Sequence, residues 1–399
     1  MSSIILLGDP HIGKSVSLGK SALGSNLNTR IVDQLNLLDW TLEQAIENHS
    51  NHIVVTGDVF EDPKPHPSLI TLFISWLKKC QTYHIHVHII SGNHDVLRSG
   101  FVYTSPLDII SEAELDYVSV YKDITTIFID TVAVTVMPFR DRKSLGVNSN
   151  AQAIEILKDS LIYELSSIPL TYKKIVVGHL AIEGSIFIGD EVDDSNNELF
   201  CPLDMFQGYD YVWMGHVHKP QVMQKKNPYI AHIGSMDASN FGETDHDKII
   251  VVIDQFADNF FSNKTLPTRS LKKISIIVPK DTEDSTQYVL DELNKNYSSL
   301  DKSIVKVEVS LASQDLKSVN KSQLEKYLVE HGAFSIASIS ESKKVNLIKK
   351  DSNNLLDNKM DVTSAIKAYS ELYVEEKDRS SFIDLAVSIY NTYQSENKE

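Results

Sequence analysis

The sequence predicts an α/β (α+β) fold: a mixed β-sandwich flanked by helices, then a small α/β cap domain and C-terminal helices. Three observations lead there. Short β-branched apolar runs at residues 4–7, 53–56, 87–90, 175–177 and 211–214 have the length of buried strands. Each stops at glycine and polar residues: Gly8-Asp9, Gly57-Asp58, Gly92-Asn93-His94-Asp95, Gly178-His179 and Gly215-His216. Stretches of helical periodicity separate the runs. Polar chemistry at the carboxyl ends of strands is the general arrangement of layered α/β folds, and glycine there lets the chain turn sharply.

The elements follow in order. Ile31, Leu35, Leu38, Leu42, Ala45 and Ile46 recur at helical spacing, so a helix is expected over 29–49. Residues 67–80 and 151–165 read as further helices, and 127–137, 229–233 and 249–253 as further strands. Together they make a first domain over residues 1–262, closed by a polar linker over 262–270. The pattern then restarts as strand 274–278, helix 286–293, strand 304–311, helix 322–329 and strand 334–339, a small second α/β domain over 271–342. A second polar linker, 343–359, centres on residues 351–354. Val362, Ile366, Tyr369 and Tyr373, then Phe382, Leu385, Ile389 and Tyr393, repeat at helical spacing and define a helical segment over 360–396. Two readings of that segment stand: it packs back on the cap, or it docks on a helix pair of a partner.

Composition narrows the class. The chain has 399 residues, 42% apolar and 23% charged, enough for two or three domains with sizeable cores. Its two cysteines, Cys80 and Cys201, form no disulfide framework and no zinc spacing. The N-terminus lacks the basic lead and long apolar run of a signal peptide, and no apolar run nears the about 20 residues of a membrane helix. A cytoplasmic protein is expected. The net charge of −16 argues against tight DNA binding by this chain alone, because phosphate contacts dominate such affinity.

The polar residues at the strand ends form one set: Asp9, His11, Asp58, Asn93, His94, His179, His216 and His218. Carboxylate, imidazole and amide oxygen together suit Mn²⁺, Fe²⁺ or Zn²⁺. There are enough donors for two metals, with Asp58 able to bridge them. Two metals about 3.5–4 Å apart clamp a phosphate, activate a water and stabilise attacking and leaving oxygens. Singly each element is weak; five in order, each after an expected strand, are specific.

These residues resemble the calcineurin-like metallophosphoesterases in Gly8-Asp9-Pro10-His11, Gly57-Asp58-Val59-Phe60, Gly92-Asn93-His94-Asp95, Gly178-His179 and Gly215-His216-Val217-His218. Gly215 to Gln221, Gly234-Ser235 and Phe241-Gly242-Glu243 further resemble the SbcD-type DNA repair exonucleases. The resemblance implies that the sandwich is a metallophosphoesterase domain, that the domain over 271–342 is a DNA-binding cap, and that the protein is a two-metal DNA exonuclease and endonuclease. It implies that Asp9, His11, Asp58 and His218 hold one metal and Asp58, Asn93, His179 and His216 the other. His94 would face the scissile phosphate, with Asp95 orienting its ring. It further implies Mn²⁺ as the favoured cation over Mg²⁺, Fe²⁺ or Zn²⁺, an SbcC-type SMC-like ATPase partner, and a homodimer within a heterotetramer. Two positions depart from the family: Glu61 stands where many members carry His, and Ile233 where Pro is usual.

Competing patterns weigh less. Residues 8–15 fit a P-loop expression, but residues 16–28 are rich in Ser and Gly where a helix should bind phosphate, and Asp9 would put a carboxylate in an anion cradle. His84, His86 and His88 alternate on one strand face and read as structural, facing a helix or solvent. Residues 183–198 read as an acidic loop near the site. A phosphoesterase for small molecules or phosphoproteins shares the metal motifs, but a phosphoprotein phosphatase would usually show Arg-Gly where Glu61-Asp62-Pro63 stands. A non-catalytic assembly protein would have no use for a full ligand set.

Overall fold

The computed structural model describes residues 3–24, 26–99, 102–188, 198–343 and 379–396, with Val362, Ile366, Lys367, Tyr369, Ser370 and Val374 between the last two stretches. Twelve strands build the sandwich: β1 (Ser3–Leu7), β2 (Ser50–Val55), β3 (His86–Ile90), β4 (Val118–Tyr121), β5 (Thr125–Ile129), β6 (Val132–Met137), β7 (Lys173–Gly178), β8 (Tyr211–Met214), β9 (Gln221–Gln224), β10 (Tyr229–His232), β11 (Ile249–Asp254) and β12 (Phe261–Thr265). One sheet runs β12-β11-β1-β2-β3-β4 and the other β9-β10-β8-β7-β6-β5. Strands β1 to β4 are parallel, as are β6, β7, β8 and β10, while β11, β12, β5 and β9 join antiparallel at the margins. The chain is therefore a mixed α/β protein.

The all-apolar runs are explained by burial on both faces. Ile4 and Leu6 of β1 turn to the other sheet and meet Val134, Val136, Ile175, Val177 and Trp213. Ile5 and Leu7 turn outward beneath helices α1 (Thr29–Glu47), α2 (Pro67–Thr82) and α3 (Pro106–Glu112), against Leu38, Phe73, Trp76 and Leu107. Helix α4 (Asn150–Ser167) covers the second sheet with Leu157 and Leu161. Asn28 caps α1 by accepting from Arg30 N at 2.9 Å, and Pro67 starts α2 without losing a helical hydrogen bond. Trp76 Nε1 donates to Leu38 O at 2.9 Å and joins the two helices.

Two expectations change. Residues 127–137 are two strands, β5 and β6, folded into a hairpin at Asp130, whose φ is 50°. Their apolar content is nearly continuous, so only Asp130 marked the turn. The expected linker over 262–270 begins as strand β12, paired antiparallel with β11. This edge strand exposes Ser262 and Asn263, which point to opposite faces, and so polar a run reads as linker. Residues 344–359, residues 189–197 of the acidic loop, and Tyr373 lie outside the described residues.

Strand β13 (Leu271–Val278), helix α5 (Ser285–Asn296), strand β14 (Ile304–Leu311), helix α6 (Lys321–Glu330) and strand β15 (Ser335–Lys343) follow, with the sheet ordered β13-β14-β15. One compact unit comprises residues 1–276, 286–309 and 318–341; a second comprises 277–285, 310–317 and 342–399. Within the first, Lys20 Nζ lies 4.4 Å from the centroid of the Phe334 ring and Arg269 Cζ 3.7 Å from it. Arg269 also binds Asp33 through two hydrogen bonds of 2.7 and 2.6 Å. Asp33 in turn accepts from Arg30 at 2.9 Å, and Arg30 reaches Asp237 at 2.6 Å. The second unit contains helix α7 (Arg379–Glu396), on which Leu385 and Ile389 are exposed. Among the described residues no helix is long and apolar enough to cross a membrane.

Burial pushes the Asp237 carboxyl up to about 6 even against the attraction of Arg30. Arg30→Met leaves Asp237 buried without its guanidinium and should cost about 3–5 kcal/mol. Denaturant unfolding measures this, and a loss below about 1 kcal/mol would mean that the pair is dispensable. Burial also pushes the Cys80 and Cys201 thiols up to about 12. Neither should react with iodoacetamide at neutral pH until the chain is unfolded, when mass spectrometry should find both modified.

Candidate metal centre

Parallel strands deliver their carboxyl ends to one edge of the sandwich. Asp9 follows β1, Asp58 follows β2, Asn93 and His94 follow β3, His179 follows β7, and His216 and His218 follow β8. The turns are tight. His11, Asp58 and His216 all hold left-handed backbone, with φ of 43°, 47° and 77°. Such positions cost on the order of 1–3 kcal/mol each and persist only where the surroundings enforce them. His11 N donates to Asp58 O and Ile12 N to Val59 O, each at 2.9 Å, locking the first two turns together. Two glycines give the carboxylates room: a Cβ at Gly92 would overlap the Asp58 carboxylate, and one at Gly215 the Asp9 carboxylate and the Thr56 hydroxyl.

All seven expected metal ligands converge in two groups. Asp9, His11 and His218 bring donor atoms within 4.8 Å of one another, as do Asp58, His179 and His216. Asp58 Oδ2 lies 3.6 Å from His11 Nε2 and 3.3 Å from His179 Nε2, so it stands between the groups. Asn93 Oδ1 is 2.9 Å from both His179 Nε2 and His216 Nδ1, which places it with the second group. The other carboxylate oxygens are fixed by donors. Asp9 accepts from the Thr56 hydroxyl at 2.9 Å and from His216 N at 2.7 Å, and Asp58 accepts from His94 N at 2.8 Å.

The donor set fits divalent cations. His11 and His218 face each other through Nε2 atoms 3.0 Å apart. Their Nδ1 atoms face carboxylates, Glu61 Oε2 at 2.9 Å and Glu243 Oε1 at 3.5 Å. A carboxylate beside Nδ1 favours the proton there, which leaves the Nε2 lone pairs turned toward one another, an arrangement that a cation between them relieves. His179 turns Nδ1 to the Thr56 carbonyl at 2.9 Å and Nε2 to the Asp58 and Asn93 side. Burial alone would raise the Asp9 and Asp58 carboxyls, but the His179 charge outweighs it and holds both well below the usual range. Burial would likewise depress His179, yet Asp58 and then Asp9 raise it well above the ordinary value. Burial lowers His11 to about 4 despite its contact with Glu61. The site concentrates negative charge where cations fit.

His94 joins His11 and Glu61 in a third group, its ring 5.0 Å from that of His11. The expected link from Asp95 to His94 is corrected. Asp95 is fully buried and uses its oxygens on backbone amides, Gly92 N at 2.9 Å and Val59 N at 3.0 Å. Burial, with Asp58 nearby, pushes its carboxyl up to about 7. It braces the turns after β2 and β3, while the Glu61 carbonyl orients His94, 2.7 Å from Nδ1. A short charged side chain following His94 suggested the wrong partner. Sequence reasoning also missed Thr56, Glu198, whose Oε1 lies 2.9 Å from His216 Nε2, and Lys248. Nothing in their spacing marks them. His86 and His88 face into the sandwich, where His52 Nδ1 lies 3.1 Å from His88 Nε2 and Tyr121 Oη 2.9 Å from His88 Nδ1. Of the three alternating histidines, His88 is buried there, His86 is partly exposed beside Ser119, and His84, ahead of the strand, is exposed to solvent as expected.

The calcineurin-like phosphoesterase family model matches residues 2–220, more than half of the chain. Among solved structures the chain is similar to a dimetal phosphatase from Danio rerio, at 11% identity over 66% of this chain and 99% of that one, with a TM-score of 0.40. A Thermus thermophilus protein gives 12% identity over 66% and 99%, with a TM-score of 0.36. A Staphylococcus aureus protein described as a putative 5'-nucleotidase, in complex with alpha-ketoglutarate, gives 15% identity over 74% and 59%, with a TM-score of 0.38.

Gly215→Ala should displace Asp9 and reduce bound metal without unfolding the sandwich. Elemental analysis after dialysis, beside circular dichroism, measures both. Unchanged metal content would mean that the turn adapts.

Proposed function

The chain belongs to the calcineurin-like phosphoesterase family, whose fold holds two divalent metals for phosphoester hydrolysis, and we propose that it is a DNA nuclease within that family. The observation that carries the reading is Asp58 standing between two complete ligand groups with His94 beside them. The SbcD-like stretches at 215–221, 234–235 and 241–243 point to DNA phosphodiesters as substrate. Asp9, His11, Asp58 and His218 would hold one cation, and Asp58, Asn93, His179 and His216 the other. Bound cations, Mn²⁺ first among candidates, would neutralise the phosphate and activate the attacking water.

The residues supply position and protons. The Glu61 carbonyl can only accept, so His94 carries a proton on Nδ1 and only its imidazolium form has one on Nε2 to give the leaving oxygen. Asp95 keeps the turns rigid through Gly92 and Val59. Partner use fits the charge: at −16 the chain needs a basic surface from elsewhere, and an SbcC-type SMC-like ATPase would supply one. The exposed Leu385 and Ile389 of α7 suit docking on such a partner's helices, in a heterotetramer containing two copies of this chain. The same reading places the protein in the cytoplasm of a bacterium or an infected host.

Purified protein should degrade linear duplex or single-stranded DNA in Mn²⁺, faster with the ATPase. His94→Ala should lower the rate by about 10²–10⁴-fold while retaining two metals. Turnover of a small phosphodiester with no DNA cleavage, even with the ATPase present, would replace this reading by a small-molecule phosphoesterase.

A further inference from the structure

We infer that Glu61 and Glu243 are a matched pair of positioning residues for one metal position only, that of Asp9, His11 and His218. The inference rests on the two-metal reading and deepens it. Both imidazoles of this position turn Nε2 inward, 3.0 Å apart, and the outer Nδ1 of each faces a carboxylate oxygen, 2.9 Å away for Glu61 and 3.5 Å away for Glu243, whose Oε1 also accepts from Asn240 Nδ2 at 3.2 Å. Each carboxylate is anchored by a lysine: Lys14 Nζ is 3.3 Å from Glu61 Oε2, and Lys248 Nζ is 2.5 Å from Glu243 Oε2. Glu243 and Lys248 are buried, and Lys248 also donates to the Ser235 hydroxyl at 2.8 Å and to the His218 carbonyl at 3.1 Å. The lysine thus holds the His218 backbone and the carboxylate that faces its ring.

The second position is built differently. His179 leans on the Thr56 backbone carbonyl, and His216 Nε2 meets Glu198. Neither Glu61 nor Glu243 reaches those rings. A carboxylate behind a ligating imidazole fixes its tautomer and orientation and raises its basicity, and its removal typically costs about 10–100-fold in metal affinity. Two such carboxylates acting on a single position make a selective effect: loss of either weakens one bound cation and spares the other. Glu61 therefore has a use of its own at the position where many relatives carry His.

Mn²⁺ titration of the full chain, by calorimetry and by electron paramagnetic resonance of free Mn²⁺, tests this. Wild type should bind two equivalents. Glu61→Gln, partly exposed and safe for folding, should weaken one equivalent by about 10–100-fold and leave the other unchanged. Glu243→Gln should weaken the same equivalent. Because it leaves Lys248 buried without its partner, Glu243→Gln/Lys248→Met, which removes both charges, is measured beside it and should show the same selective loss. Nitrogen-15 NMR of histidine-labelled apoprotein should show His11 and His218 protonated at Nδ1 in wild type and lose that preference in the variants. Two unaffected equivalents, or equal weakening of both in folded variants, would overturn the inference alone. A wild type that binds fewer than two equivalents would overturn the two-metal reading and the inference with it.

Discussion

Asp9 and Asp58 are carboxylates without access to water, and much of the molecule is arranged around that fact. A buried carboxylate is costly unless donors or positive charge surround it. The sandwich meets the demand by bringing parallel strands to a common edge, so that backbone amides, the Thr56 hydroxyl and imidazoles from several strands converge on the two groups. The price is backbone strain at His11, Asp58 and His216, which interlocked turns enforce. Asp95 fits the same logic: fully buried among backbone amides, it ties together the turns on which Asp58 and His94 stand.

The frame of this arrangement was legible in the sequence because double-sided burial leaves unmistakable apolar runs, and the ligand types stand where those runs end. What was not legible was contact at a distance. Asp95 follows His94 directly, yet its carboxylate turns to Gly92 and Val59, since a fully buried group goes where donors are rather than where its neighbour is. Glu198 and Lys248 meet His216 and the His218 loop through tertiary folding, which no spacing encodes. Strand β12 hid because its exposed residues are polar, and the β5–β6 hairpin hid because its turn rests on one aspartate.

Charge is distributed with a purpose that composition alone concealed. The excess of acidic residues reads as a poor match for nucleic acid, yet around the site it is organised into ion pairs, Lys14 with Glu61 and Lys248 with Glu243, that leave imidazole lone pairs facing inward. Beyond the site the same pairing joins elements far apart in sequence. Arg30, Asp33, Arg269 and Asp237 run from the first helix to the turn after β10 and the approach to β13, and both Lys20 and Arg269 contact the Phe334 ring.

The left-handed turns carry a consequence for folding. Chain segments held in costly conformations at His11, Asp58 and His216 place metal-ligating side chains that only the folded form brings together. A ligand that binds only the folded form stabilises it in proportion to the logarithm of its free concentration. The folding equilibrium of a metal-binding chain of this kind is thereby coupled to the divalent-ion content of its surroundings, and a chelator withdraws that share of its stability.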